Sequence, residues 1–109
     1  MKKEKLDVFR KRLLAEKSRV LEQLDQVERN LQQYESDFSE SMALHGRLRY
    51  LQENLEEIGK ALERIENGTF GLSEISGKPI PLERLELLPW TNRLVEEAHA
   101  RLEPSRIFR

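Results

Sequence analysis

The chain has 109 residues, a length for one domain, with 36% charged and 38% hydrophobic side chains and a formal net charge of −1. That balance supplies no general attraction to nucleic acid or to an anionic membrane surface, so a protein partner is expected, with no direct nucleic-acid binding and no membrane contact. No cysteine is present, no apolar run is long enough to span a bilayer, and Met1 to Asp7 lacks the apolar core of a signal peptide, so a cytoplasmic location is expected.

From Lys5 to Tyr34 there is neither glycine nor proline. Leu6, Leu13, Val20, Val27 and Tyr34 recur every seventh residue, and Phe9, Leu24 and Leu31 fill adjacent positions, which predicts one apolar face of a long helix. At about 1.5 Å per residue that helix runs roughly 45 Å, longer than a small domain is wide, so part of it projects. Glu16, Gln23 and Asn30 interrupt strict heptads, and the face drifts toward Leu24 and Leu31 with the 3.6-residue period of a straight helix. Lys2, Lys3, Lys5, Arg10, Lys11 and Arg12 make the first turns basic, which reads as a solvated face.

Three serines and an aspartate between Tyr34 and Met42 break the pattern and mark a short connection. The period then returns in Leu44, Leu48, Leu51, Leu55, Ile58, Leu62 and Ile65, spaced alternately by four and three. A short link between two long amphipathic helices predicts antiparallel neighbours, a helical hairpin over residues 1–66 with its tip near 35–42. Asn67-Gly68 supplies a helix stop. Pro81 opens a short helix that ends before Pro89. Thr91 or Asn92 is placed to cap a last helix carrying Leu94, Val95, Ala98 and Leu102, stopped by Pro104 and followed by a loose tail.

Between the hairpin and the end of the chain, one stretch concentrates glycine and proline. Ala61-Leu62-Glu63-Arg64-Ile65-Glu66-Asn67-Gly68-Thr69-Phe70-Gly71, then Gly77-Lys78-Pro79-Ile80, then Arg84-Leu85-Glu86-Leu87-Leu88-Pro89-Trp90 resemble the C-terminal half of the DksA/TraR family. The resemblance is close from about Leu55 to Trp90 and covers the preceding hairpin as architecture. It implies a coiled-coil hairpin joined to a small globular end with a four-cysteine zinc finger. The ligand positions of that finger fall here on Ser73 and Ser76, and on Leu94 and Glu97. Serine hydroxyls stay protonated at neutral pH and are poor zinc ligands, Glu97 alone suits a metal, and His45 and His99 lie elsewhere, so no metal or other cofactor is expected.

A structural zinc site contributes on the order of 10–16 kcal/mol in small domains. Its absence requires compensation. The expected substitute is an apolar cluster of Phe70, Leu72, Ile75, Ile80, Leu85, Leu88, Trp90 and Leu94, each worth about 1.5–3 kcal/mol when fully buried. The fold class is therefore mainly α: an antiparallel coiled-coil hairpin, then residues 67–109 as a zinc-finger-like globular end without metal, closed by a C-terminal helix.

The resemblance also implies a function. Family members push the coiled-coil tip through the secondary channel of bacterial RNA polymerase, and the tip carries an acidic D-x-x-D-x-A motif. Here Asp37 and Glu40 match the two acids, Met42 stands where alanine is the rule, and the second helix is about one heptad shorter than is usual, which keeps the seam in phase. Asp37-x-x-Glu40 is also the spacing of a helix capping box, and the two readings are compatible. Phe38 is either a partner contact or part of the loop's own packing, with the second preferred. The expected protein is a monomeric, non-enzymatic transcription regulator; the alternative is a divergent coiled-coil adaptor with another protein partner. No paired nucleophile and base, phosphate loop or ligand cluster points to an enzyme.

Overall fold

The computed structural model describes residues 1–94, 96 and 97. Helix α1 spans Lys3–Gln33, α2 spans Phe38–Asn67, and a six-residue α3 spans Leu82–Leu87. α1 and α2 pack as an antiparallel hairpin. The seam is the one read from the heptads, with Ala61 added: Phe9, Leu13, Val20, Leu24 and Val27 from α1 are buried against Leu51, Ile58, Ala61 and Ile65 from α2. Toward the tip, Leu31, Leu44 and Leu48 are only half-buried, and Tyr34 is 39% exposed. Two helices alone leave the flanks of a seam open to water, and near the tip nothing else among the described residues covers them.

At the other end a third layer does. Phe70, Ile80 and Leu85 are buried under the seam, and the Phe70 ring lies 5.3 Å from that of Phe9, tilted by 48°. Such tilted pairs add about 0.5–1.5 kcal/mol beyond the area they bury. The basic start of α1 is not wholly a solvated face. Arg12 stacks over Phe9 and donates from Nη2 to the Glu86 carbonyl at 2.6 Å. Lys5 lies 3.7 Å from the Glu86 carboxylate, and Arg10 pairs with Asp7 and reaches Glu66. These contacts fasten the first turns of α1 to the base.

Both expected helix ends near the hairpin carry local devices. α2 stops at Gly68 in the left-handed region, φ 80°, with the Gly68 N–H donating to the Arg64 carbonyl. A residue with a Cβ pays strain at that φ, which glycine avoids. Pro81 is the N-cap of α3 rather than its first helical residue, a shift of one position.

The apolar cluster expected at the base is smaller than the sequence reading has it. Phe70, Ile80 and Leu85 are buried, and Trp90 and Leu94 pack partly against them. Leu72, Ile75 and Leu88 are exposed, by 38%, 58% and 37%. The Gly-rich stretch forms only an isolated antiparallel bridge between Leu72 and Pro79, and so small a hairpin has one covered face. The last helix expected from Leu94 onward falls mostly on residues 95 and 98–109, outside the described residues; Glu96 and Glu97 are helical.

Candidate functional site

Two places carry the residues singled out from the sequence. The first is the apex. α1 ends at Gln33, and the Asp37 N–H donates to the Tyr34 carbonyl at 3.0 Å, closing the turn. Asp37 is the N-cap of α2: its backbone is extended, and its Oδ1 accepts from the Glu40 N–H at 3.0 Å. That is one half of a capping box; the Asp37 N–H is already committed to Tyr34, so the reciprocal bond from Glu40 is not made. Phe38 is the first residue of α2 and 77% exposed, which rules out the expected packing within the loop. Met42, one turn on, is 60% exposed. The apex thus presents two acids beside two large apolar side chains.

The second place is the base. The Ser73 N–H donates to the Lys78 carbonyl, the Gly77 N–H to the Ser73 carbonyl and the Ile80 N–H to the Gly71 carbonyl, so the chain doubles back as a tight knuckle. Gly71 and Gly77 take φ of 90° and 75° to allow it. Ser73 is 4% exposed; Ser76 stands exposed at the turn. The Ser73 hydroxyl accepts from the N–H groups of Ile75 and Ser76 and donates to Glu97 Oε1 at 2.6 Å. The same oxygen accepts from the Leu94 N–H at 2.8 Å. The hydrogen bond from the Ser73 hydroxyl first, with that from the Leu94 N–H also contributing, holds the Glu97 carboxyl below its ordinary value. All four positions that match zinc ligands in the resemblance therefore belong to one hydrogen-bonded network, Ser73 and Glu97 through their side chains, Ser76 and Leu94 through their backbone N–H groups.

Their side chains are two hydroxyls, one carboxylate and one aliphatic group. Among the described residues no three His, Cys, Asp or Glu side chains group where they could hold a metal ion. This donor set does not fit structural zinc, which takes four thiolate or imidazole ligands.

A polar staple that the sequence did not announce closes the rest of the base. Arg64, in the last turn of α2, donates from Nη2 to the carbonyls of Trp90 and Thr91, at 3.2 Å each. Arg84 of α3 donates from Nε to the Arg93 carbonyl at 3.0 Å, and the Glu74 N–H to the Asn92 carbonyl at 2.8 Å. Four consecutive carbonyls, 90 to 93, thereby find donors from three other parts of the chain. Arg93 in turn pairs with Glu74 at 3.0 Å. Burial lowers the pKa of the Arg64 guanidinium, with Glu74 and Glu57 opposing; its Nε is buried with no partner among the described residues. Thr91 and Asn92 bond within this segment, Thr91 to the Arg93 carbonyl and Asn92 to the Arg93 guanidinium, and among the described residues neither side chain caps a helix. An open cleft of about 500 Å³ beside the staple has Lys60, Arg84, Arg93, Glu57 and Glu74 around Trp90, a wall of mixed charge.

Two long antiparallel helices standing on a knuckled base define the class: a helical-hairpin protein with a degenerate zinc-finger base. No protein-family model matches the chain. Comparison with individual proteins is more informative. The protein named RNA polymerase-binding transcription factor DksA from Caulobacter vibrioides is 33% identical over 115 aligned positions, covering 94% of this chain and 81% of that protein. YteA of Bacillus subtilis, uncharacterised, is 46% identical over 63 residues; they make up 58% of this chain but only 24% of YteA. The solved structure of transcription factor DksA2 from Pseudomonas aeruginosa matches with a TM-score of 0.85 over 95% of this chain and 88% of that one, at 24% identity, which is a likeness of fold. The chain belongs to the DksA/TraR family, as a member without cysteine.

Proposed function

We propose that this chain is a non-enzymatic regulator of transcription that binds bacterial RNA polymerase, its hairpin entering the secondary channel and its apex acids approaching the active site. Residues 1–66 then act as the probe, and 67–109 as the base that stays outside. The observation that carries the reading is the apex: Asp37 and Glu40 stand at the turn between helices of 31 and 30 residues, beside an exposed Phe38. Such helices reach roughly 45 Å at about 1.5 Å per residue. Carboxylates brought close to a catalytic magnesium ion alter the metal's field and the waters around it. The Glu40 amide holds Asp37 in one orientation, which suits a group that must arrive pre-positioned. Kinship with the Caulobacter protein, a factor named for binding RNA polymerase, supports the partner. The reading takes the protein as a cytoplasmic monomer; among the described residues no helix is long and apolar enough to cross a membrane.

The test is capture of purified bacterial core polymerase by this chain, compared with the Asp37→Asn, Glu40→Gln double variant. Asparagine caps a helix about as well as aspartate, so the double variant removes charge and leaves the turn intact. Binding of the native chain with a loss of binding or of transcriptional effect in the variant is expected. No binding, or binding and effect both indifferent to the exchange, sinks the tip mechanism. Met42 in place of the family's alanine, and the missing cysteines, favour a second reading, a divergent adaptor with another protein partner. Light scattering separates the two, because a stable dimer that buries the apex excludes insertion.

A further inference from the structure

The mismatch between the family's metal and the side chains at the knuckle carries one inference. Ser73 is nearly inaccessible to water. Its oxygen already accepts two backbone N–H groups, from Ile75 at 3.1 Å and Ser76 at 3.3 Å, so its one proton is free for a single acceptor. That acceptor is Glu97 Oε1, 24 residues along the chain. The same oxygen takes the Leu94 N–H. We propose that Glu97 Oε1 is the closing hub of the base, joining the knuckle to the segment after Trp90 as a metal ion would, so that this chain folds its globular end with neither metal nor thiol.

The chemistry is suited to the task. A hydroxyl that accepts two N–H groups is polarised and becomes a better donor, and its bond to an ionised carboxylate is short and charge-assisted. Lys78 adds a favourable charge nearby. Leu94, which matches a ligand position, contributes its backbone N–H to the hub while its side chain packs partly on the core. Ser73 and Leu94 thus serve through hydrogen bonds to one oxygen of Glu97, and Ser76 joins through its N–H to the Ser73 hydroxyl. A base closed in this way is indifferent to the oxidants and chelators that open a thiolate site.

The experiment follows thermal opening of the base in the full chain through the fluorescence of Trp90, the sole tryptophan. Ser73→Ala, Glu97→Gln and the double variant form a cycle; Ser73→Cys replaces the alanine if that variant does not fold. Coupling is expected: each single change lowers the Trp90 midpoint, and the double variant melts no lower than the worse single one. Strictly additive losses, or no loss from Glu97→Gln, overturn the proposal. Treatment with a strong chelator is expected to leave the native midpoint unchanged, and a fall overturns it. The third arm changes Ser73, Ser76, Leu94 and Glu97 together to cysteine. The hub, by drawing the four positions into one network, predicts that zinc raises the Trp90 midpoint of this variant and not of the native chain. A variant indifferent to zinc, or a native chain that responds to it, refutes the hub.

Discussion

Replacing Arg64 with methionine is expected to open the base while the hairpin stays folded. Methionine keeps much of the apolar stem and removes the guanidinium whose Nη2 serves the Trp90 and Thr91 carbonyls. Hydrogen bonds from charged donors are worth about 1.5–3 kcal/mol each. At 3.2 Å these two lie at the long end of the normal range, so the low figure applies, giving about 3 kcal/mol for the pair. Against this, the exchange relieves the cost of burying Nε without a partner, on the order of 1 kcal/mol. The net loss is about 2 kcal/mol, a fall in melting midpoint of roughly 8–16 °C for a protein of this size. Trp90 fluorescence and helical circular dichroism recorded on one sample separate the two regions. The Trp90 midpoint is expected to fall by that amount and the helical signal by less. An unchanged Trp90 midpoint refutes the account of Arg64 as the staple of this segment.

The remaining predictions concern other parts of the chain. The Glu97 carboxyl titrates below its ordinary value of 4.5 in the folded chain, so its contribution to stability is present above that pH and is lost as pH falls through the folded pKa; the Trp90 midpoint should drop in acid, and Glu97→Gln should remove that part of the drop. Gly46→Ala should stabilise α2 by about 0.8–1 kcal/mol, read from the helical melt, because a Cβ there meets nothing within 4 Å. Asp37→Ala should cost about 1 kcal/mol through the lost cap while Asp37→Asn costs little, as judged by denaturant midpoints. Phe9→Ala should cost about 3–5 kcal/mol by the same measure, since it empties the junction of seam and base.

The hairpin was legible because its signals are local and repeat. Leu13, Val20, Leu51, Ile58 and Ile65 fall in the seam as their spacing requires, and Asp37 and Gly68 mark helix ends by chemistry confined to one turn. At the base neither condition holds. Leu72, Ile75 and Leu88 look like core by composition, but no periodicity assigns a face within a knuckle of one bridge. Arg64 and Arg84 sit in helical stretches where arginine ordinarily faces water; which carbonyl such a side chain reaches 26 or 9 residues away depends on the closed chain alone. Glu97 was visible as a position, through the family resemblance, but its partnership with the Ser73 proton was not. A serine that already accepts two turn amides has one proton to give, and only the fold says to what.

The carbonyl staple also fixes an order of events. Arg64 lies in the last turn of α2 and Arg84 on α3, while the carbonyls they hold belong to residues 90–93. Both donors must first be set on formed helices before the segment has anything to dock on. During synthesis the hairpin emerges before the segment that seals its foot, and refolding in the test tube should obey the same sequence. In stopped-flow experiments the helical signal should precede the Trp90 signal. The indole then reports the final step, the moment at which the 90–93 segment seals the foot of a hairpin already formed.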